Sequence, residues 1–173
     1  MSVLLVSHGS PRTRKRSDHD LPIVGDPNAR LGEKGKVQSR RIGHRLRITF
    51  AIEPTMTDVA VSDHPITHET AEYAGFDPEY FGRYALFNTV QVSFGNAKLR
   101  TMILAGELPD VSMERAKKIL EHPPTEPIWV VDPLLIPSIG RVLGLPDPKE
   151  LVPGFGEIRE MPINPSKSGR GQR

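Results

Sequence analysis

The side chain with the clearest chemical potential near the start of the chain is His8. It follows a short apolar run, residues 3–6, that is typical of a buried strand. Ligands of α/β sheets bind at the edge where strands end, so an imidazole placed there can act as a nucleophile or as an acid–base group. Gly9 lets the backbone turn, which would allow the amides of Gly9 and Ser10 to face an anion. The alternative is an ordinary hydrogen-bonded histidine at the end of a strand.

Polar residues also end two further predicted strands. Residues 58–62 form an apolar run that finishes at Ser62, and residues 128–131 finish just before Asp132. Because the carboxyl ends of parallel strands meet at one edge of a sheet, we expect these residues to lie near His8. The further candidates for binding an anion at this edge are Ser62, His64 and His68.

The elements that must position these residues alternate between strands and helices. Helices are predicted over 33–47, from Pro65 to a glycine stop at Gly75, over 111–121 and over 135–143, whereas 48–52 could extend the first helix or form a strand. This alternation predicts an α/β fold, a single domain with a mainly parallel sheet flanked by helices, in residues 1–152. Two glycines, at positions 35 and 43, weaken the first helix, so packing against other elements must hold it.

Two segments lack the periodicity of helices or strands. Residues 11–32 are rich in Pro, Gly, Asp and Arg and are predicted to form a long loop over the sheet edge. Residues 153–173 are rich in Pro and Gly, then basic, and are predicted to be a C-terminal tail or an arm that contacts a partner. A protein partner would therefore be met by the 11–32 loop and the 153–173 tail.

Composition excludes several classes of protein. The 173 residues include no cysteine, which rules out disulfides and thiolate chemistry. No apolar run approaches the roughly 20 residues of a membrane span, and the opening run is too short for a signal peptide, so a cytoplasmic protein without membrane contact is expected. The isolated His19 between two aspartates is a poor metal site, and no cofactor motif is present, so neither metal nor cofactor is expected.

Positive charge is concentrated at the start of the chain. Residues 1–50 hold eleven Lys and Arg against four Asp and Glu, although the whole chain carries only +2. A basic segment beside a strand-end histidine suits a phosphorylated small molecule or phosphoprotein, and it would also suit nucleic acid. The candidate phosphate-binding arginines are Arg12, Arg14 and Arg30. Few aromatic residues lie there, which argues against stacking on single-stranded nucleic acid.

Three segments together resemble the histidine phosphatase superfamily, which has the phosphoglycerate mutase-like fold, and in particular its short members of phosphohistidine-phosphatase size. The family opens with a strand and an Arg-His-Gly motif, to which Ser7-His8-Gly9 is similar. Its first helix carries a Leu-Thr-x-x-Gly-x-x-Gln pattern, matched by residues 31–38 except at Gly32. Residues 62–71 keep the Ser, Asp, Thr and Ala of its Ser-Asp-x-x-Arg-Ala-x-x-Thr-Ala motif.

The resemblance implies that His8 is the nucleophile, forming a phosphohistidine, and that Glu79 lies near the position of the proton donor. Three phosphate-binding groups of the family are replaced: Ser7 stands for an arginine, Ile66 for a second arginine, and Asp132 falls where a late strand should end in histidine. Losing even one such donor typically costs about 10²–10³ in rate, and the carboxylate of Asp132 would repel phosphate.

The first hypothesis is accordingly a divergent, catalytically impaired histidine-phosphatase-like protein that binds a phosphorylated ligand or a protein. The second is an active phosphomonoester hydrolase in which arginines of residues 12–30 replace the lost groups around His8, with His64 or His68 supplying the missing imidazole. The third is nucleic-acid binding through the basic first third of the chain. Whether the protein is an enzyme is left open by the sequence.

Overall fold

The computed structural model describes residues 2–12, 28–88, 101–102, 105–146 and 154–163. Its strands are β1 (Val3–Ser7), β2 (Val59–Val61), β3 (Phe81–Arg83), β4 (Ile128–Val131) and β5 (Ile158–Met161). Its helices of more than one turn are α1 (Glu33–Phe50), α2 (Pro65–Ala74), α3 (Asp110–Glu121) and α4 (Leu135–Val142). Strands and helices thus alternate as the sequence predicts.

The five strands form one sheet in the order β3-β2-β4-β1-β5. β1 to β4 are parallel, and β5 pairs antiparallel with β1. The predicted fold class, a single α/β domain with a mainly parallel sheet flanked by helices, is confirmed. Because the four parallel strands point the same way, their carboxyl ends form one edge of the sheet, which we call the carboxyl edge.

Both faces of the sheet are covered, which is why the strands read as continuous apolar runs. Alternate residues of β1 separate the two cores: Val3 and Leu5 face α3 and α4, whereas Leu4 and Val6 face α1 and α2. The only tryptophan, Trp129, is fully buried in the first core. Its fluorescence therefore reports on unfolding of the sheet.

The glycines of α1 mark close contacts between backbones. A side chain at Gly43 would collide with the carbonyl oxygen of Ala74 at the end of α2, and one at Gly35 would collide with that of Ser10. Tertiary contact thus explains why a helix tolerates two weak helix formers. The helix continues to Phe50 and ends where Ala51 adopts a left-handed conformation (φ 54°), so residues 48–50 are helical rather than a strand.

Two strands differ from the sequence expectations. β5 lies within residues 153–173, so this part of the predicted tail is instead an edge strand of the sheet. Only Ile158 and Met161 are buried in it, and the Arg-Glu pair between them breaks the alternation that identifies a strand. β3 has only three residues and no fully buried side chain, which explains why residues 76–98 give no clear pattern.

None of the helices in the described ranges combines the length and the apolar character that crossing a bilayer requires.

Candidate functional site at the carboxyl edge

Three of the sequence-predicted groups meet at the carboxyl edge. His8 follows β1, and its amide donates to the carbonyl of Val131 at the end of β4 (3.2 Å). His64 follows β2, and Asp132 follows β4. Electrostatic interactions couple the three side chains, because His8 and Asp132 both act on the pKa of His64. The expectation that strand-end residues converge is therefore met for this trio.

The imidazole of His8 is oriented by the residue that follows it. Its Nδ1 lies 2.9 Å from the carbonyl oxygen of Gly9, and the side chain is buried, with 7% of the residue exposed. With the proton on Nδ1, the ring donates to that carbonyl and Nε2 carries the free lone pair. This tautomer is the one that an imidazole nucleophile requires.

The amides of the loop after His8 are not directed at a ligand. Gly9 N–H donates to Thr70 Oγ1 (3.1 Å), and Ser10 N–H donates to Gln38 Oε1 (2.9 Å). The loop is held between α1 and α2 by these bonds and by its close approach to Gly35. The expectation that the Gly9 and Ser10 amides bind an anion is corrected, because side chains of the protein already accept both hydrogen bonds.

Ser62 and His68 hold the turn into α2. The Ser62 hydroxyl is fully buried and lies 2.7 Å from Thr67 Oγ1, and it accepts a hydrogen bond from the amide of His64. His68 Nε2 lies 2.8 Å from the Ser62 carbonyl oxygen. The Ser62 hydroxyl is therefore engaged within the turn that carries His64, and His68 is bonded to the same turn through Nε2.

Of the arginines predicted to form a substitute pocket, the structure describes Arg12 and Arg30, and their recorded contacts lie within the protein. Arg30 pairs with Glu69 of α2 (3.0 Å) with 63% of its side chain exposed, and the same carboxylate accepts from the Leu31 amide. Arg12 is exposed, and its amide donates to the Arg30 carbonyl. Arg14 lies outside the described residues. Residues 30 and 31 are thus attached to α2 through Glu69.

Glu79 lies at the opposite end of the strands from the His8 site, so it is not placed as the predicted proton donor. It lies in the one-turn 3-10 helix Pro78–Tyr80, which leads into the amino end of β3. Because β3 runs parallel to β2, that end is opposite the carboxyl edge. The motif spacing placed Glu79 before a strand whose existence and direction the sequence did not reveal.

Asp132 is the most unusual group at the carboxyl edge. Its Oδ1 accepts a hydrogen bond from the Leu134 amide (2.7 Å), and only 4% of the residue is exposed. Burial raises the pKa of this carboxyl above its ordinary 3.8, and His8, Arg115 and His64 oppose the rise only in part. The neutral acid is therefore favoured at pH values above the one at which an exposed aspartate ionises.

A positive charge reaches this edge from an element that sequence reasoning did not consider. Arg115 of α3 donates through Nη1 to the carbonyl of Asn88, whose side-chain oxygen accepts from the Asp63 amide (2.8 Å). Arg115 also lowers the pKa of both His64 and Asp132 through its positive charge. For His64, burial is the main cause that lowers the pKa, and Arg115 lowers it further. In the sequence, Arg115 looks like any charged residue of an amphipathic helix.

Ser7, which stands where the resembled family has an arginine, binds a segment close to the C-terminal part of the described chain. Ser7 Oγ donates to the Gly154 carbonyl (2.6 Å) and accepts from the Glu157 amide (2.9 Å). The Gly156 amide donates to the carbonyl of His8 (3.1 Å). The segment of residues 154–157, called here the 154–157 loop, is thus fixed beside the candidate nucleophile.

This arrangement predicts that Ser7→Arg will not restore a phosphate pocket. Ser7 is fully buried, so an arginine would displace the 154–157 loop and leave its amide and carbonyl groups unpaired. Unpaired buried polar groups cost about 1–3 kcal/mol each, and we expect the free energy of unfolding to fall by at least that amount. Denaturant unfolding followed by Trp129 fluorescence measures it. Ser7→Ala separates the lost bonds from the added bulk, and a Ser7→Arg protein as stable as wild type would contradict the prediction.

The remaining basic residues of α1 divide into two groups. Lys36 and Arg40 lie over the ring of Tyr73, and Arg47 pairs with Glu53. Lys34, Arg41 and Arg45 are exposed on the side of the helix away from the sheet. Nucleic-acid binding by this surface stays a prediction. In the described part of the chain, no cluster of three or more His, Asp or Glu side chains could hold a metal ion.

Comparison with known proteins gives a match in structure but not in sequence. No protein-family model matches the chain, and no curated protein matches it by sequence. The chain is similar to the crystal structure of TTHB049 from Thermus thermophilus, with 19% identity, 94% of each chain covered and a TM-score of 0.65.

Two other similar structures carry descriptive names. One is a phosphoglycerate mutase from Thermus thermophilus, with 18% identity, 94% of this chain and 93% of that one covered, and a TM-score of 0.64. The other is a phosphoserine phosphatase from Entamoeba histolytica in complex with 3-phosphoglyceric acid, with 14% identity, coverage of 92% and 89%, and a TM-score of 0.62. Identities this low establish the fold alone. The chain thus has a phosphoglycerate mutase-like fold, with His8, His64 and Asp132 at the edge where its parallel strands end.

Proposed function

We propose that this protein binds a phosphate monoester at the carboxyl edge, beside His8, and transfers the phosphoryl group slowly or not at all. Two proteins of similar fold are named as a phosphoglycerate mutase and a phosphoserine phosphatase, and both names refer to phosphorylated small molecules. Under this proposal the protein is a divergent histidine-phosphatase-like protein that still binds the phosphorylated ligand but has lost most of the catalytic activity.

The observation that carries this proposal is the buried carboxyl of Asp132. Phosphoryl transfer depends on positive charge and hydrogen-bond donors around the three equatorial oxygens of the phosphoryl group. A neutral Asp132 can donate one hydrogen bond to a phosphate oxygen but supplies no positive charge. An ionised Asp132 would repel the phosphate. Neither form supplies the positive charge that a catalysed transfer needs, and the neutral form is the one compatible with a bound phosphate.

Binding is supported by His64 and Arg115. Both lie at the carboxyl edge and both interact electrostatically with Asp132. The guanidinium of Arg115 is held at this edge by its hydrogen bond to the Asn88 carbonyl, and it brings a positive charge close to a bound anion. Burial lowers the pKa of His64, whereas a phosphate dianion bound beside it would favour its protonation and so oppose that effect.

Titration with inorganic phosphate and with an aryl phosphate tests the proposal. We expect saturable binding by calorimetry, and we expect Arg115→Ala to weaken it about tenfold to hundredfold because a charge-assisted hydrogen bond is lost. Arg45→Ala, on the far side of α1, is the matched control and should leave the affinity unchanged. The absence of phosphate binding by the folded wild-type protein would contradict the proposal.

The same preparation distinguishes the active alternative. The hydrogen bond from Nδ1 of His8 to Gly9, which leaves Nε2 available as a nucleophile, is the observation that favours an active hydrolase. In the impaired protein, release of phosphate from the aryl ester is no faster than in His8→Ala. Multiple turnovers that disappear in His8→Ala would establish the hydrolase instead.

A further inference from the structure

The ring of Phe155 lies beside the candidate nucleophile. Its centroid is 5.5 Å from that of the His8 imidazole, and the two ring planes are inclined by 30°. Phe155 nevertheless keeps 44% of its surface exposed, whereas His8 keeps 7%. One part of the phenyl ring therefore covers the imidazole, and another part faces the solvent next to it.

The backbone on both sides of Phe155 is fixed, so the ring has a defined place. Gly154 is bonded to Ser7 through its carbonyl, and Gly156 is bonded to the His8 carbonyl through its amide. Gly156 adopts a positive φ of 72°, and a Cβ there would lie 2.7 Å from Cβ of Gln38, which shows how closely the loop approaches α1. An exposed aromatic ring held this way can contact a ligand without further loss of backbone entropy.

We propose that Phe155 selects phosphate esters of aromatic alcohols for the His8 site. The inference rests on the proposed function, because it assigns a ligand class to that same site. A phosphate close to Nε2 of His8 places its ester group within a few ångströms of the imidazole, and the Phe155 ring, whose centroid is 5.5 Å from that of the imidazole, is near enough to contact such a group. A flat aromatic group can pack against that ring in an offset or edge-to-face arrangement, and a short alkyl group buries far less surface there.

The alternative is that Phe155 serves only to shield His8 from water. A ring with that role alone would favour a small ligand and would gain nothing from an aromatic one. The exposed portion of the ring decides between the two, because aromatic pairs contribute affinity beyond the area they bury. The expected difference is about threefold to tenfold in dissociation constant between an aryl and a short alkyl ester.

The test compares inorganic phosphate, ethyl phosphate and phenyl phosphate by calorimetry. Wild type is expected to bind phenyl phosphate about threefold to tenfold more tightly than ethyl phosphate. Phe155→Leu should remove this preference and leave the affinity for inorganic phosphate unchanged. Tyr80→Leu removes an exposed aromatic ring at the opposite edge of the sheet and should keep the preference. Trp129 fluorescence confirms that each variant is folded.

The outcomes separate the ligand class from the proposed function. Equal affinities for the two esters in wild type, or a preference that survives in Phe155→Leu, would overturn the assignment of Phe155 while leaving phosphate binding intact. Failure of all three compounds to bind the folded protein would overturn both proposals. A loss of inorganic phosphate binding in folded Phe155→Leu would also overturn the selective role, because the ring would then position His8 instead.

Discussion

Asp132→Asn is expected to bind phosphate at least about tenfold more tightly than wild type at pH 8, a gain of about 1.4 kcal/mol. The asparagine oxygen can still accept from the Leu134 amide, so the local structure is kept. The amide adds N–H donors and cannot become negative. In wild type, an anion that binds beside ionised Asp132 is repelled by the carboxylate. This repulsion is removed only if Asp132 takes up a proton. The advantage of the variant should therefore grow as the pH rises.

The same substitution is expected to change how stability depends on pH. Because burial raises the pKa of Asp132 above 3.8, the folded protein binds more protons than the unfolded chain between that value and the raised one. The free energy of unfolding must fall as pH rises through this window and stay lower above it. Asp132→Asn lacks this fall, so it should be more stable than wild type by about 1–3 kcal/mol above the window and not below it.

Comparison of urea unfolding curves across pH, followed by Trp129 fluorescence, isolates this effect. His64 has the opposite influence, because burial lowers its pKa below 6.5 and stability then rises with pH up to that value. His64 is present in both proteins, so its contribution largely cancels in the difference. Asp58→Asn, an exposed residue before β2, controls for the change in net charge. A stability difference that does not change with pH would show that Asp132 ionises normally.

The sequence predicts the fold well because β1, β2 and β4 are clear apolar runs and the helices between them have periodic patterns. α2 begins at Pro65 and ends at Gly75 as its signals indicate, with Gly75 in a left-handed conformation. Chain order also implies that His8 and Asp132 share an edge. β3 and β5 are missed since each has few buried residues and gains its place from a partner strand distant in sequence.

The contacts within the site could not be predicted in the same way. Whether a polar group faces a ligand depends on the partners it finds inside the protein, and those partners are tens of residues away. Arg30 forms an ion pair with Glu69, the Gly9 amide donates to Thr70, and the Ser7 hydroxyl donates to the Gly154 carbonyl. A motif indicates that such residues lie together, whereas only their geometry shows which hydrogen bonds remain for a phosphate.

Gly35→Ala is expected to disturb the site most strongly through the backbone. A Cβ at this position would collide with the carbonyl oxygen of Ser10 and lie 2.8 Å from Cδ2 of Leu31. The better helix propensity of alanine contributes about 1 kcal/mol, whereas overpacking against a fixed backbone costs about 1–3 kcal/mol or more. We expect the free energy of unfolding to fall despite the propensity gain, and the loop that carries His8 to move away from α1.

Phosphate affinity and urea unfolding of Gly35→Ala measure the two consequences. We expect at least about a tenfold loss of affinity, since displacement of the loop by an ångström moves the His8 imidazole away from His64 and Asp132. Lys34→Ala changes the preceding, exposed residue of the same helical turn and controls for propensity without a collision. If Gly35→Ala were as stable as Lys34→Ala and bound phosphate like wild type, the contact between α1 and the His8 loop would not be what positions the site.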